Sequence, residues 1–97
     1  MTPVKKIEIV ADSLEVDAIT RVLDRHGVSG YTVIRHVEGR GQRGERRDDE
    51  ITGVFANSYV MTACPADQVA GIIEAVRPIL TRFGGVALVS DALWVVH

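Results

Sequence analysis

The residues best equipped for chemistry in this chain of 97 crowd into one stretch, GRGQRGERRDDE, from Gly39 to Glu50. It holds three glycines and four arginines, and no apolar side chain. Glycines at 39, 41 and 44 let backbone N–H groups turn toward an anion with no Cβ in the way. Arg43, Arg46 and Arg47 can add charge-assisted hydrogen bonds to phosphate or other oxyanion oxygens. The plain alternative is a solvated loop. Five acids, Glu38, Glu45, Asp48, Asp49 and Glu50, leave the segment close to neutral, and exposed pairs among them and the arginines gain little.

The remaining reactive side chains form no constellation. Asp48, Asp49 and Glu50 follow one another without the glycine turn of a cation-binding loop. His26, His36 and His97 share no ligand spacing with the single cysteine, Cys64, so no metal site is expected. Cys64 ends an apolar run and fits a buried, inert thiol. Ser13, Ser29, Ser58 and Ser90 have no neighbouring base, so nucleophilic catalysis has no support and an enzyme is not expected.

Composition narrows the class. The chain is 46% hydrophobic and 25% charged with a formal net charge of −2, which fits one globular domain over residues 1–97 and disfavours a general nucleic-acid binder. No apolar run approaches the roughly 20 residues of a membrane span. The first ten residues lack the long apolar core of a signal peptide. A cytoplasmic protein is expected.

The elements that must position the glycine–arginine stretch follow from periodicity. Residues 4–11 alternate, with Ile7 and Ile9 on one face, and predict a strand. Asp12 and Glu15 bracket a helix start. Leu14, Ala18, Val22 and His26, widened by Ile19 and Leu23, give it a buried stripe that Gly27 ends. Residues 30–38 predict a second strand, residues 39–50 a long exposed loop, and residues 54–64 a third strand with Tyr59, Met61 and Ala63 on one face. Pro65 suits the first turn of a second helix, whose stripe is Val69, Ile72, Ile73, Val76, Ile79 and Leu80. Pro78 should loosen its last turn. Gly84 and Gly85 stop it, residues 86–89 form a fourth strand, and the apolar tail from 92 to 97 can add a short one. The order strand, helix, strand, loop, strand, helix, strand predicts an α+β, ferredoxin-like βαββαβ sandwich. The third strand is apolar in both alternating sets (Phe55, Tyr59, Met61 and Ala63 against Val54 and Val60), so the sheet face away from the helices needs a partner, and oligomerisation supplies one.

On these residues the chain resembles the PII signal-transduction superfamily, and specifically PII-like proteins associated with carboxysomes and bicarbonate uptake. HGVSGYTVIRHVEGRGQRG, from His26 to Gly44, is similar to the family's second strand entering its T-loop. TACPADQV, from Thr62 to Val69, is similar to the junction of its third strand and second helix, and Phe83-Gly84-Gly85 falls where the family has its glycine-rich B-loop. The resemblance implies a homotrimer that binds an adenine nucleotide between subunits and switches a partner through the T-loop, residues 39–53. It implies nucleotide contacts from Thr32, Gly39, Gly41, Gln42, Arg43, Arg46, Cys64, Gly84, Gly85 and His97. Arg43, Arg46 and Arg47 become the candidates for bicarbonate or another small anion. A bicarbonate transporter or a carboxysome component is the implied partner.

The chain also departs from the family pattern. Val86 stands where the family carries a B-loop lysine, and His97 aligns with the first of two C-terminal phosphate-binding arginines, the second having no counterpart. The tyrosine that many members have uridylylated is absent from 39–53. These losses point to ADP or AMP in preference to ATP. The competing reading is a divalent-cation tolerance type protein, another trimeric ferredoxin-like fold. The glycine–arginine loop disfavours it.

Overall fold

The structure, a computed structural model, describes residues 1–41, 44–46 and 56–97. Strand β1 (Thr2–Asp12) is followed by helix α1 (Val16–Arg25), strand β2 (Tyr31–Val37), and two short strands, β3 (Gly39–Gly41) and β4 (Gly44–Arg46). Then come β5 (Asn57–Cys64), α2 (Val69–Phe83) and β6 (Gly85–Trp94). The main sheet has the order β2-β5-β1-β6 and is antiparallel throughout. This is the expected ferredoxin-like arrangement.

Register explains the core. Ile7 stands between Thr62 and Val89, and Ile9 between Val60 and Ala87. Residues directly opposite share a face, so Ile7, Ile9, Ala11, Val60 and Cys64 all meet the helices and are buried. Two polar side chains, Ser58 and Thr62, are buried on that same face. Each is satisfied: the Ser58 hydroxyl lies 2.7 Å from that of Ser13, and Thr62 donates to the Gly30 carbonyl at 2.6 Å. An unpaired hydroxyl there would cost about 1–3 kcal/mol.

Helix α1 corrects the expected stripe at its start. Leu14 is 67% exposed, because Ser13–Glu15 form a 3₁₀ turn in which the Asp12 carboxylate accepts from the Leu14 N–H at 3.0 Å. Tighter winding shifts the phase, and Val16, Ile19, Val22 and Leu23 become the buried set. The chain reverses at Gly27, with φ at 69°. His26 packs at the helix end, its Nδ1 donating to the Val22 carbonyl at 2.9 Å. A Cβ on Gly71 of α2 would stand 3.3 Å from the ring's Nε2, so the two helices approach closely there.

Pro65 adopts an extended conformation and precedes a 3₁₀ turn, Ala66–Gln68, that leads into α2. Ile72 and Val76 are fully buried, with Val69, Ile73, Ile79 and Leu80 packed beside them. The helix continues through Pro78 to Phe83. Two further corrections concern strands. Within residues 39–50, expected as a long exposed loop, β3 and β4 pair, with Gly39 opposite Arg46 and Gly41 opposite Gly44. Backbone pairing needs no apolar side chain, which is why hydropathy missed it. Residues 92–94 extend β6 and do not form a separate strand. Val54 and Phe55 lie outside the described residues.

Gly85 opens β6 at φ 129°, and a Cβ there would meet the Val10 carbonyl oxygen at 2.6 Å and the Ala11 Cα at 3.3 Å. Gly27 shares a positive φ but has nothing within 4 Å. Gly85→Ala should therefore destabilise by about 1–3 kcal/mol through overpacking as well as strain, and Gly27→Ala by only about 1 kcal/mol through strain. Urea midpoints at unchanged slope measure both; equal losses would refute the steric account.

Candidate functional site

The candidate ligand residues fall on opposite edges of one sheet. Thr32 is an exposed residue of β2, opposite Met61, and projects from the face away from the helices. Gly84 and Gly85 join α2 to β6 at the other edge. Strands β5 and β1 lie between, so three spacings of about 4.8 Å put the two edges roughly 14 Å apart. Gly85 lies level with Ala11 and Ser58 and so with Arg35, at the end of the sheet from which the hairpin leaves. Gly39, Gly41 and Arg46 belong to that hairpin. Gln42, Arg43 and Arg47 lie outside the described residues.

Two candidates sit apart from these. Cys64 ends β5 at the opposite end of the sheet, opposite Lys5, and its side chain belongs to the buried core. Burial pushes its thiol pKa up, and the Asp67 carboxylate adds to the effect, so only its backbone can face a ligand. His97 is exposed and follows the end of β6. Gly84 has φ 85° and donates its N–H to the Leu80 carbonyl at 2.8 Å, so this amide is already committed to closing the helix. The groove beside it, about 470 Å³, runs between α2 and β6 and is lined mainly by Ile73, Val76, Leu80, Ala87 and Val89, with Arg77 at its rim. Among the described residues, no three His, Cys, Asp or Glu side chains gather as a metal site. No described helix is long and apolar enough to cross a membrane.

The second face of the sheet is the larger feature. Ile34, Val86, Leu88 and Trp94 are exposed on it, at 51%, 56%, 63% and 52%. Within this apolar surface lies one polar cluster that sequence reading missed. Tyr59 donates to Glu8 Oε2 at 2.7 Å, and Lys6 Nζ stands 3.4 Å from Oε1. The Tyr59 hydrogen bond, helped by Lys6, holds the Glu8 carboxyl below its ordinary pKa, and the carboxylate raises the Tyr59 phenol. Strand parity carried the signal, since Glu8 lies between Ile7 and Ile9 and must face the other way.

The model of the P-II family, nitrogen regulatory protein P-II, matches residues 4–96. The chain belongs to the P-II family. Solved structures agree with this assignment. CPII, a nitrogen regulatory PII-like protein from Thiomonas intermedia K12 bound to ADP, AMP and bicarbonate, is 30% identical with a TM-score of 0.85, over 93% of this chain and 86% of that one. Its apo form is also 30% identical, with a TM-score of 0.77, over 93% and 89%. A PII-like signaling protein from Thermus thermophilus is 25% identical with a TM-score of 0.78, over 98% and 91%. No curated protein matches the chain. As a P-II family member the chain is a PII-like nucleotide-binding signalling protein, and its segment between β2 and β5 corresponds to the family's T-loop.

The polar cluster yields a test of its own. Because Glu8 is held below the ordinary carboxyl pKa of about 4.3 in the folded chain, its contribution is present above that value and disappears as pH falls through the folded pKa. Tyr59→Phe should move the Glu8 titration upward and flatten the acid limb of stability. Carboxyl NMR titration and acid melts read both. An unmoved Glu8 titration would remove Tyr59 as the cause.

Proposed function

We propose that this P-II family member is a regulatory homotrimer that binds ADP or AMP between subunits, takes bicarbonate as a further anion, and switches a partner in inorganic-carbon metabolism through residues 39–53. The observation that carries the reading is its similarity along most of both chains to the Thiomonas protein bound to ADP, AMP and bicarbonate. The separation of Thr32 from Gly84 and Gly85 by two strands supports a site between subunits. A neighbour's β6 edge brought to the β2 edge supplies the glycine loop that one chain holds at a distance. The exposed apolar face supports an assembly that covers it.

In this reading Thr32 and the Cys64 backbone hold the base, Gly84, Gly85 and His97 meet the phosphates from the neighbour, and Gly39, Gly41, Gln42, Arg43 and Arg46 close over them. Arg43, Arg46 and Arg47 bind the small anion. Val86 in place of a lysine leaves a terminal phosphate one cation short, and a charge-assisted hydrogen bond is worth about 1.5–3 kcal/mol. The role is regulatory and not catalytic, in the cytoplasm, and a bicarbonate transporter or carboxysome component fits a bicarbonate-responsive loop. The matched family model favours this function over the divalent-cation alternative.

Light scattering should give three times the chain mass of 10.6 kDa. Calorimetry should show ADP or AMP binding no more weakly than ATP; ATP binding ten times more tightly than ADP would overturn the preference. Trypsin cuts at Arg40, Arg43, Arg46 and Arg47 should slow under saturating ADP or AMP, and equal rates would exclude the loop as reporter. Bicarbonate at fixed pH and ionic strength should alter nucleotide affinity or that protection. No change in either excludes it as a ligand of this site.

A further inference from the structure

Strand β2 does not run straight into the hairpin. Arg35 pairs with Ser58 and Val37 with Asn57, the next residue back along β5, so His36 is the extra residue of a β-bulge. Its φ is 64°, and it is the one non-glycine residue with a positive φ among the described residues. Such positions usually take glycine, because the left-handed region presses a Cβ against the carbonyl oxygen. Histidine is one of the few side chains enriched there. Three residues later Gly39 opens the hairpin, which forms its own two-stranded sheet outside the four-stranded one. The direction of the hairpin is therefore set in the short link from His36 to Glu38.

We propose that His36 is the positioning residue of the nucleotide cleft: its left-handed bulge fixes the direction in which the Gly39–Arg46 hairpin leaves the sheet, and so where the hairpin backbone meets an anion. The proposal rests on the nucleotide-binding reading above. A bulge bends its strand and strengthens the local twist, so the same hairpin on a regular strand would leave along a different line. Glycine at 36 would adopt the same φ without strain, but it would also admit other backbone regions and let the hairpin swing. Histidine admits the bulge in a narrow well. The strain it carries is the counterpart of a hairpin already aimed before ligand arrives.

The test compares His36→Gly, His36→Asn and His36→Val in the full chain. Three readouts are the thermal melt of the empty protein, amide hydrogen exchange of the hairpin in the empty protein, and ADP affinity by calorimetry. His36→Gly should show faster hairpin exchange and about two- to five-fold weaker ADP binding than the wild type. His36→Asn, which tolerates the same φ, should restore both values. His36→Val, β-branched, should lose the bulge and the hairpin protection together. A role confined to overall stability would shift the melt without moving hairpin exchange and ADP affinity together. Unchanged hairpin exchange in His36→Gly overturns the proposal, whether or not nucleotide binds. A wild-type protein that binds no ADP or AMP, with hairpin exchange still sensitive to residue 36, overturns the nucleotide reading and leaves the aiming role standing.

Discussion

Everything in this molecule depends on β1 being paired along both edges while the helices cover only one of its faces. Its ladders to β5 and β6 fix the register of three strands at once, and Ile7 and Ile9 are fully buried because neighbours on both sides share their parity. A one-residue slip of either ladder would turn an entire apolar set outward. The same parity sends Val10, Glu8 and Lys6 to the other face, alongside Tyr59, Met61, Val86 and Leu88. Two helices cannot reach that face. The uncovered surface is thus a consequence of the topology and not an accident of composition.

Much of this was legible in the sequence where side chains, and not backbone, decide the structure. Alternation around Ile7 and Ile9 and the four-residue spacing through Val22 located β1 and α1. The phase at Leu14 was not legible, because a 3₁₀ turn closed by Asp12 has no hydropathy signature. The β3–β4 hairpin was missed for the same reason, its pairs being glycine and charged residues joined through the backbone. Ser58 and Thr62 occupy core positions on parity alone, and their partners, Ser13 and the Gly30 carbonyl, are distant in sequence. The His36 bulge left no trace at all. An extra residue in a strand is visible only against the partner strand it fails to match.

The candidate site was legible through resemblance more than through physics, and the geometry changes what several of its residues can do. Gly84 and Gly85 each have a structural task independent of any ligand: one closes α2 through its N–H, and the other admits the Val10 carbonyl. Cys64 is a core thiol whose raised pKa makes it a poor nucleophile and whose side chain faces the helices. Substitutions at these three positions will report on folding before they report on binding. Thr32, exposed and outside the core, is the cleaner probe of a ligand.

The proposed site draws on two sheet edges from two chains. Any ligand that touches both edges through two chains binds the assembled state and not the separate chain, so it must strengthen assembly by the free energy it gains from the second contact. Linkage makes the effect reciprocal: what tightens the assembly also tightens the ligand. The Glu8–Tyr59–Lys6 cluster lies within the face that such an assembly would cover. Covering an ionised carboxylate is costly unless its hydrogen bonds travel with it. Glu8 brings a hydrogen bond from Tyr59 and an ion pair with Lys6, both on the same chain. The polar cluster can therefore enter an interface already satisfied, which lets an apolar face retain a charge at its centre without forbidding its burial.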